Sequence, residues 1–211
     1  MGDDNFASFE VTQTVNVNSN SAASKTQTQI IVPNVNIVYN SGNLIASLKD
    51  ANGKVLANKI VKVSIGSVNQ VLTTDSNGQV KLAITLAPKT YTATVTFEGD
   101  DQYVKSSANA KVVVNKAKSS ITAKNKKFKA KTKTKKYTIK LKNNKGKIIK
   151  NAKVTLKVKG KLYKAKTNAK GKATFKITKL TKKGKFKAVI KFAGNSYFQK
   201  TSKTVKLTVK K

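Results

Sequence analysis

Residues 171–177 read Gly-Lys-Ala-Thr-Phe-Lys-Ile, and small or apolar side chains alternate with polar ones from Lys172 onward. Alternation with a period of two is typical of a β-strand with one buried face, because successive side chains point to opposite sides of a strand. A related stretch, Gly-Gln-Val-Lys-Leu-Ala-Ile, occurs 93 residues earlier at residues 78–84. The chain therefore contains a repeated strand preceded by a glycine turn.

A second motif extends this repeat towards both ends of the sequence. Residues 99–103, Gly-Asp-Asp-Gln-Tyr, recur 95 residues later as Gly-Asn-Ser-Tyr-Phe at residues 194–198. A third copy, Gly-Asp-Asp-Asn-Phe, lies at residues 2–6. Repetition at a fixed period is the sequence signature of a tandem array of similar folding units.

These matches divide the chain into three parts. Residues 28–115 form the first repeat, residues 119–211 form the second repeat, and residues 1–20 are predicted to be the tail of a preceding repeat or a flexible strand. We expect the sequence to be the C-terminal piece of a longer array, or a gene model begun at an internal Met. The lack of a signal peptide at Met1 then gives no information about localisation.

Both repeats are predicted to be all-β, with apolar residues alternating along several short strands. The predicted inward residues of the first repeat are Leu44, Ala46, Leu48, Val61, Val63, Ile65, Val80, Leu82, Ile84, Tyr91, Ala93, Val95, Phe97, Val112 and Val114. Those of the second repeat are Tyr137, Ile139, Leu141, Val154, Leu156, Val158, Ala173, Phe175, Ile177, Phe186, Ala188, Ile190, Phe192, Val205, Leu207 and Val209. About seven short strands per repeat, separated by glycine turns, predict two tandem immunoglobulin-like β-sandwiches, preceded by a remnant strand of a third.

Charge is distributed very unevenly along the chain. The 211 residues include 44 lysines, no arginine and eight acids, which gives a net charge of +36. Residues 116–211 contain 35 of the lysines and no Asp or Glu, whereas all eight acids lie before them. A field of this size bears on partners and solubility rather than on the fold.

Lysine and threonine fill the polar strand positions of the second repeat. Lysines on strands can protect sheet edges from aggregation, and this is one explanation of the pattern. A whole face of lysines exceeds that need, and like charges opposite each other destabilise a sheet, so an external anion is the alternative explanation. The predicted polyanion contacts are Lys140, Lys142, Lys153, Lys157, Lys172, Lys176, Lys185, Lys187 and Lys191.

The composition argues against catalysis and against a cofactor or metal site. The chain has no Cys and no His, and the second repeat also has no carboxylate side chain, so it lacks an ordinary general base and a metal ligand set. Residues 74–78, Thr-Asp-Ser-Asn-Gly, resemble part of a calcium loop. Their counterpart at residues 167–171, Thr-Asn-Ala-Lys-Gly, cannot chelate, so a hairpin turn is the favoured interpretation. We therefore predict no enzyme activity, no cofactor and no metal.

Nucleic acid and membrane are also disfavoured as specific partners. Base readout favours Arg, which is absent, and the aromatic residues Tyr137, Phe175, Phe186 and Phe192 occupy predicted core positions rather than stacking platforms. No apolar run approaches the roughly 20 residues that a membrane-spanning helix needs. If the protein is extracellular, an anionic cell-wall polymer or surface glycan is the more natural partner.

The second repeat resembles the Ig-like repeats of adhesin-like proteins from methanogenic archaea. The resemblance rests on Lys-Asn-Asn-Lys-Gly-Lys at residues 142–147, Lys-Gly-Lys-Ala-Thr-Phe-Lys-Ile at residues 170–177 and Phe-Ala-Gly-Asn-Ser-Tyr-Phe at residues 192–198. The first repeat, with Phe-Glu-Gly-Asp-Asp-Gln-Tyr at residues 97–103, is similar to the same group and to bacterial Ig-like surface repeats.

The resemblance implies an extracellular array of stacked sandwiches that projects from a cell wall. We therefore expect a structural segment of an adhesin-like protein, in which Ig-like repeats contact their neighbours as a stalk and the basic repeat attaches to an anionic wall or glycan. The alternative is a free-standing module that binds polyanions in general, including nucleic acid. Similarity of fold alone does not identify a binding partner.

Overall fold

The computed structural model describes residues 24–211, and it is built from β-strands and turns. The predicted tail or remnant strand at residues 1–20 lies outside the described residues. No helix of residues 24–211 is long and apolar enough to cross a membrane.

Each repeat contains eight strands rather than about seven. In the first repeat these are β1 (Thr28–Ile31), β2 (Val35–Val38), β3 (Gly42–Asp50), β4 (Ile60–Ile65), β5 (Val68–Thr73), β6 (Gln79–Ile84), β7 (Thr90–Phe97) and β8 (Ser106–Asn115). In the second repeat they are β9 (Ser119–Thr122), β10 (Lys126–Lys129), β11 (Lys135–Asn143), β12 (Lys153–Val158), β13 (Lys161–Lys166), β14 (Lys172–Ile177), β15 (Gly184–Phe192) and β16 (Thr201–Lys210).

The two repeats share one sheet topology. In the first repeat a three-stranded sheet, β1-β3-β6, accompanies a five-stranded sheet, β2-β8-β7-β4-β5. The second repeat has the same arrangement, with β9-β11-β14 and β10-β16-β15-β12-β13. Neighbouring strands are antiparallel except for the β2–β8 and β10–β16 pairs, which are parallel. This topology confirms the predicted pair of Ig-like sandwiches.

In each repeat the chain crosses from the three-stranded sheet to the five-stranded sheet after its first strand, which is four residues long. Asn34 and Asn125 lie at the two crossings, and their Oδ1 atoms accept hydrogen bonds from the N–H groups of Lys111 and Lys206, at 2.6 and 2.7 Å. These bonds extend the parallel ladders by one step at their start. The crossing therefore has the same local support in both repeats.

The core of each sandwich consists of the alternating residues that the sequence predicts. They are buried except for Leu82, Tyr91 and Phe186, which are half-buried. Leu82 lies on β6, an edge strand of its sheet, while Tyr91 and Phe186 lie near the start of β7 and β15. Burial of a large apolar side chain contributes roughly 1.5–3 kcal/mol, so these cores dominate the stability of both repeats.

A buried threonine joins the strands in each sandwich. In the second repeat, Thr167 Oγ1 accepts a hydrogen bond from Ala152 N–H and donates one to the Ile149 carbonyl, both at 2.8 Å. Thr74 makes the matching bonds in the first repeat, with Lys59 N–H and the Leu56 carbonyl. The hydroxyl satisfies one backbone donor and one backbone acceptor, since backbone groups buried without a partner are costly.

Replacing Thr167 with Val should therefore destabilise the second repeat. The substitution preserves shape but leaves the Ala152 N–H and the Ile149 carbonyl unpaired, so we expect a loss of about 2 kcal/mol in the free energy of unfolding. Urea denaturation measures this loss. Thr174→Val is the matched control, because Thr174 is exposed and bonds only to the exposed Thr138 hydroxyl; its effect should stay within about 0.5 kcal/mol. Equal losses for the two variants would contradict this role of Thr167.

Candidate anion-binding surface

The nine predicted polyanion-contact lysines lie on two outer faces rather than one. Those on the five-stranded sheet of the second repeat are Lys153, Lys157, Lys185, Lys187 and Lys191, and all five are exposed. Those on the three-stranded sheet are Lys140, Lys142, Lys172 and Lys176, of which Lys140 and Lys142 are half-buried. Each sheet therefore presents its own basic surface.

Several of these lysines lie directly opposite another lysine on a neighbouring strand. The pairs are Lys140 with Lys172, Lys136 with Lys176, Lys153 with Lys166 and Lys187 with Lys206. Like charges directly opposite each other destabilise a sheet. The corresponding positions of the first repeat contain at most one lysine in each pair. The second repeat therefore concentrates positive charge where the sheet geometry makes it costly.

Three turns show how the second repeat folds without acids. In the first repeat the Oδ1 atom of an Asp accepts two backbone N–H bonds within each turn, at 2.9 to 3.0 Å. In the second repeat an Asn Oδ1 accepts the equivalent bonds, at 2.9 to 3.0 Å. The exchanged pairs are Asp50 with Asn143, Asp75 with Asn168 and Asp100 with Asn195. Each pair preserves the turn and removes one negative charge.

All three ion pairs within residues 24–211 belong to the first repeat. The Glu98 carboxylate lies 2.7 Å from Lys105 Nζ and 3.3 Å from Lys62 Nζ. Hydrogen bonds from these two lysines, with Lys105 contributing most, lower the pKa of Glu98. Asp100 lies 2.6 Å from Lys59 Nζ, and that hydrogen bond is the main reason that the pKa of Asp100 is also lowered.

The second repeat retains lysine but loses the carboxylates at the matching positions. Ala193 replaces Glu98, and Asn195 replaces Asp100, whereas Lys200 stands where the first repeat has Lys105. A lysine that pairs with an internal acid in the first repeat is thus free to face an external anion in the second.

The calcium-like stretch at residues 74–78 serves as a turn. Asp75 Oδ1 is engaged with the N–H groups of Asn77 and Gln79, both at 2.9 Å. The turn connects β5 to β6, which belong to different sheets, so the prediction of a hairpin was wrong: the turn passes between the two layers of the sandwich. Among residues 24–211, no three His, Cys, Asp or Glu side chains are grouped so as to hold a metal ion.

Three of the four aromatic residues considered for base stacking are buried. Tyr137, Phe175 and Phe192 are at most 3% exposed, and Phe186 is half-buried. Burial raises the pKa of Tyr137, whose hydroxyl donates a 2.7 Å hydrogen bond to the Lys124 carbonyl. These rings serve the core, as their alternation predicts.

Lys135 is a basic residue that sequence reasoning did not single out. Its side chain is 1% exposed, and Nζ donates hydrogen bonds to the carbonyl oxygens of Thr132 at 2.7 Å and Ala130 at 3.4 Å. Lys135 precedes Tyr137 and Ile139 at a spacing of two residues, so the alternation along the strand predicts that its side chain points inward. Its hydrogen-bond acceptors are backbone atoms of a loop, however, so residue identities alone could not reveal them. Lys135 therefore supports the loop before β11 and does not belong to the exposed basic surface.

Known proteins share the fold of this chain. Residues 43–118 match the family described as macroglobulin domain MG4, and a comparison with curated proteins gives no match. Invasin, a bacterial integrin-binding protein, is similar to this chain with a TM-score of 0.53 and 20% sequence identity, over 87% of this chain and 39% of the invasin chain. The chain thus spans well under half of that structure.

Two further solved structures are similar at lower scores. A 1.5-MDa bacterial ice-binding adhesin has a TM-score of 0.38 and 13% identity, over 89% of this chain and 66% of that chain. The titin domains Z1Z2 have a TM-score of 0.42 and 12% identity, over 89% of this chain and 98% of that chain. The similarity to invasin shows an Ig-like fold.

The variant Asp100→Asn tests whether the charge of Asp100 stabilises the first repeat independently of the hydrogen bonds that hold the turn. Asn195 shows that an amide can hold this turn, so the variant should lose only the ion pair with Lys59. Because the folded-state pKa of Asp100 is lowered from 3.8, the stabilisation is present above pH 3.8 and is lost as pH falls through the lowered value. For this partly exposed pair, we expect the wild type to be more stable by less than about 1 kcal/mol at pH 7 and equally stable in strong acid.

Urea unfolding at several pH values measures this difference. Asp101→Asn is the matched control, because it makes the same charge change at the neighbouring position, where the carboxylate forms no ion pair in the described structure. A difference between wild type and Asp100→Asn that persists at low pH, or an equal effect of Asp101→Asn, would show that the ion pair does not stabilise the first repeat.

Proposed function

We propose that this chain is a structural segment of an extracellular adhesin-like protein, of the kind found in methanogenic archaea. Its two Ig-like sandwiches act as a stalk without catalytic activity. The basic second repeat attaches the stalk electrostatically to an anionic cell-wall polymer or surface glycan, and neighbouring Ig-like repeats are its other partners.

Contacts between the repeats support a stalk. The linker is short, since β8 ends at Asn115 and β9 begins at Ser119. Ala117 within the linker is buried, and its N–H and carbonyl groups bond to the backbone of Tyr197 and Gln199. A linker that is hydrogen-bonded into the second repeat leaves few free torsions between the two sandwiches.

Aromatic side chains reinforce the junction. The ring of Tyr39, at the end of the first repeat nearest the linker, lies with its centroid 4.9 Å from that of Tyr197 and 5.9 Å from that of Phe198. Aromatic pairs at such distances contribute roughly 0.5–1.5 kcal/mol beyond the area that they bury. A junction of this kind suits repeats that bear a load together.

The observation that carries the attachment proposal is the pairing of lysines across both sheets of the second repeat without a carboxylate side chain. Natural sequences usually avoid repulsion of this kind, because net charge of one sign destabilises the compact state. The fold does not require it, since the first repeat builds the same sandwich near neutrality. Neutralisation of these lysines by an external polyanion offsets the repulsion between them.

The alternative function is a general polyanion-binding module that includes nucleic acid among its ligands. Its support is the high positive charge, which attracts phosphate backbones without regard to sequence. The absence of Arg and the burial of Tyr137, Phe175 and Phe192 disfavour a dedicated nucleic-acid surface. The contacts between repeats also have no role in a free-standing binder.

Binding across a salt series distinguishes the two functions. The full chain should retain saturable binding to an anionic wall polymer at about 150 mM salt, while binding to duplex DNA weakens steeply with rising salt. A neutral glycan is the control and should not bind. If wall polymer and DNA bind equally and are lost together as salt rises, the charge is generic and the attachment proposal is wrong.

A further inference from the structure

A surface groove of about 600 Å³ lies on the second repeat, where β12, β15 and β16 meet the end of the sheet. Its volume falls within the roughly 300–1,000 Å³ of many small-molecule sites. The residues that matter for its chemistry are Lys153, Thr155, Lys191, Ala193, Lys200 and Ser202. The lining of the groove combines three lysines with residues that carry hydroxyl groups, and it contains no acid.

The equivalent place in the first repeat is occupied by an internal carboxylate. Glu98 and Ala193 each stand between the Phe that ends a strand and the Gly that opens the next turn. The Glu98 carboxylate contacts Lys105 Nζ at 2.7 Å and Lys62 Nζ at 3.3 Å. The first repeat therefore shows where a carboxylate sits on this part of the sandwich and which positions bind it.

Replacements around Ala193 leave the second repeat richer in positive charge. Lys200 corresponds to Lys105, and Thr155 corresponds to Lys62. Two new lysines also appear, because Lys191 replaces Thr96 and Lys153 replaces Ile60. The second repeat thus has three lysines and no carboxylate where the first has two lysines and one carboxylate.

Strand register places hydroxyl groups on both sides of the central lysine. Lys191 lies opposite Thr155 on β12 and opposite Ser202 on β16. A ligand that carries a carboxylate and several hydroxyls can bond to the ammonium groups and to these side chains together, since hydroxyls both donate and accept. A uronic acid has this combination, whereas an acidic peptide offers carboxylates without neighbouring hydroxyls.

We propose that this groove binds a uronate carboxylate of an acidic glycan in the position that Glu98 occupies in the first repeat. The inference rests on the proposed attachment function and names the charged group and the site through which the second repeat recognises its polymer. The remaining lysines on the two outer faces add attraction that depends less on ligand structure.

Ala193→Glu in the full chain tests the site directly. The new carboxylate should occupy the groove as Glu98 does and weaken binding of a short oligogalacturonate about tenfold at about 150 mM salt, through loss of a charge-assisted contact. Thr181→Glu is the control, because Thr181 is exposed in the loop between β14 and β15, at the opposite end of the sandwich. It makes the same charge change and should alter the affinity less than about twofold.

Titration calorimetry gives the affinities, and amide chemical shifts report the location. In the wild-type protein the largest ligand-induced shifts should fall at Ala193, Lys200 and their neighbours. Unchanged amide shifts in the rest of Ala193→Glu, without ligand, verify that it folds. This pattern, together with selective weakening in Ala193→Glu, supports the site.

Other outcomes separate failure of the site from failure of the proposed function. Equal weakening in both variants, or no weakening in either, overturns the site and leaves diffuse attraction to the polymer intact. Tighter binding of an equally charged glutamate peptide overturns the glycan in favour of an acidic peptide. If the wild-type protein binds neither oligogalacturonate nor wall polymer, even at low salt, the site and the attachment function are both overturned.

Discussion

The side-chain oxygen at three turns of each sandwich accepts two backbone N–H bonds whether it belongs to Asp or to Asn. Because the turn depends on the oxygen and not on the charge, the exchanges of Asp50 for Asn143 and Asp75 for Asn168 preserve the geometry. Asx turns of this kind join strands wherever a short polar side chain can reach its own backbone. The freedom to remove these acids without losing a turn is the condition under which an acid-free Ig-like sandwich can exist.

Stability in such a sandwich must come from terms that do not involve opposite charges. The second repeat has a continuous apolar core and a buried hydroxyl, Thr167, that satisfies two backbone groups. These stabilising contributions are opposed by lysine pairs such as Lys140 with Lys172, whose repulsion is reduced by salt or by a bound polyanion. Binding to the folded state alone stabilises it by mass action, so an anionic ligand would also stabilise the repeat. Structure and proposed attachment are thus linked through the same lysines.

The sequence was informative about strands and less informative about sheets. Alternation identified buried residues such as Ile139 and Phe175, because side-chain direction along a strand is a local property. Assignment of a strand to one sheet depends on long-range pairing, so the candidate lysines were expected on one face and lie on two. The strand Lys126–Lys129 escaped prediction, since Phe128 is its one apolar residue and its partner, β16, is distant in sequence. The proposed role of the groove at Ala193 as a carboxylate site becomes apparent only from the ion pairs that Glu98 forms in the first repeat.

Amide hydrogen exchange of the full chain, measured at about 50 and 500 mM NaCl, tests whether repulsion between lysines destabilises the second repeat, because it reports the two repeats separately in one sample. Unfolded reference peptides correct for the effect of salt on intrinsic exchange. If positive charge in the second repeat has no internal partner, protection in the strands β9 to β16 should rise with salt while protection in β1 to β8 changes little. An equal response of the two repeats would contradict the claim that repulsion between its lysines destabilises the second sandwich.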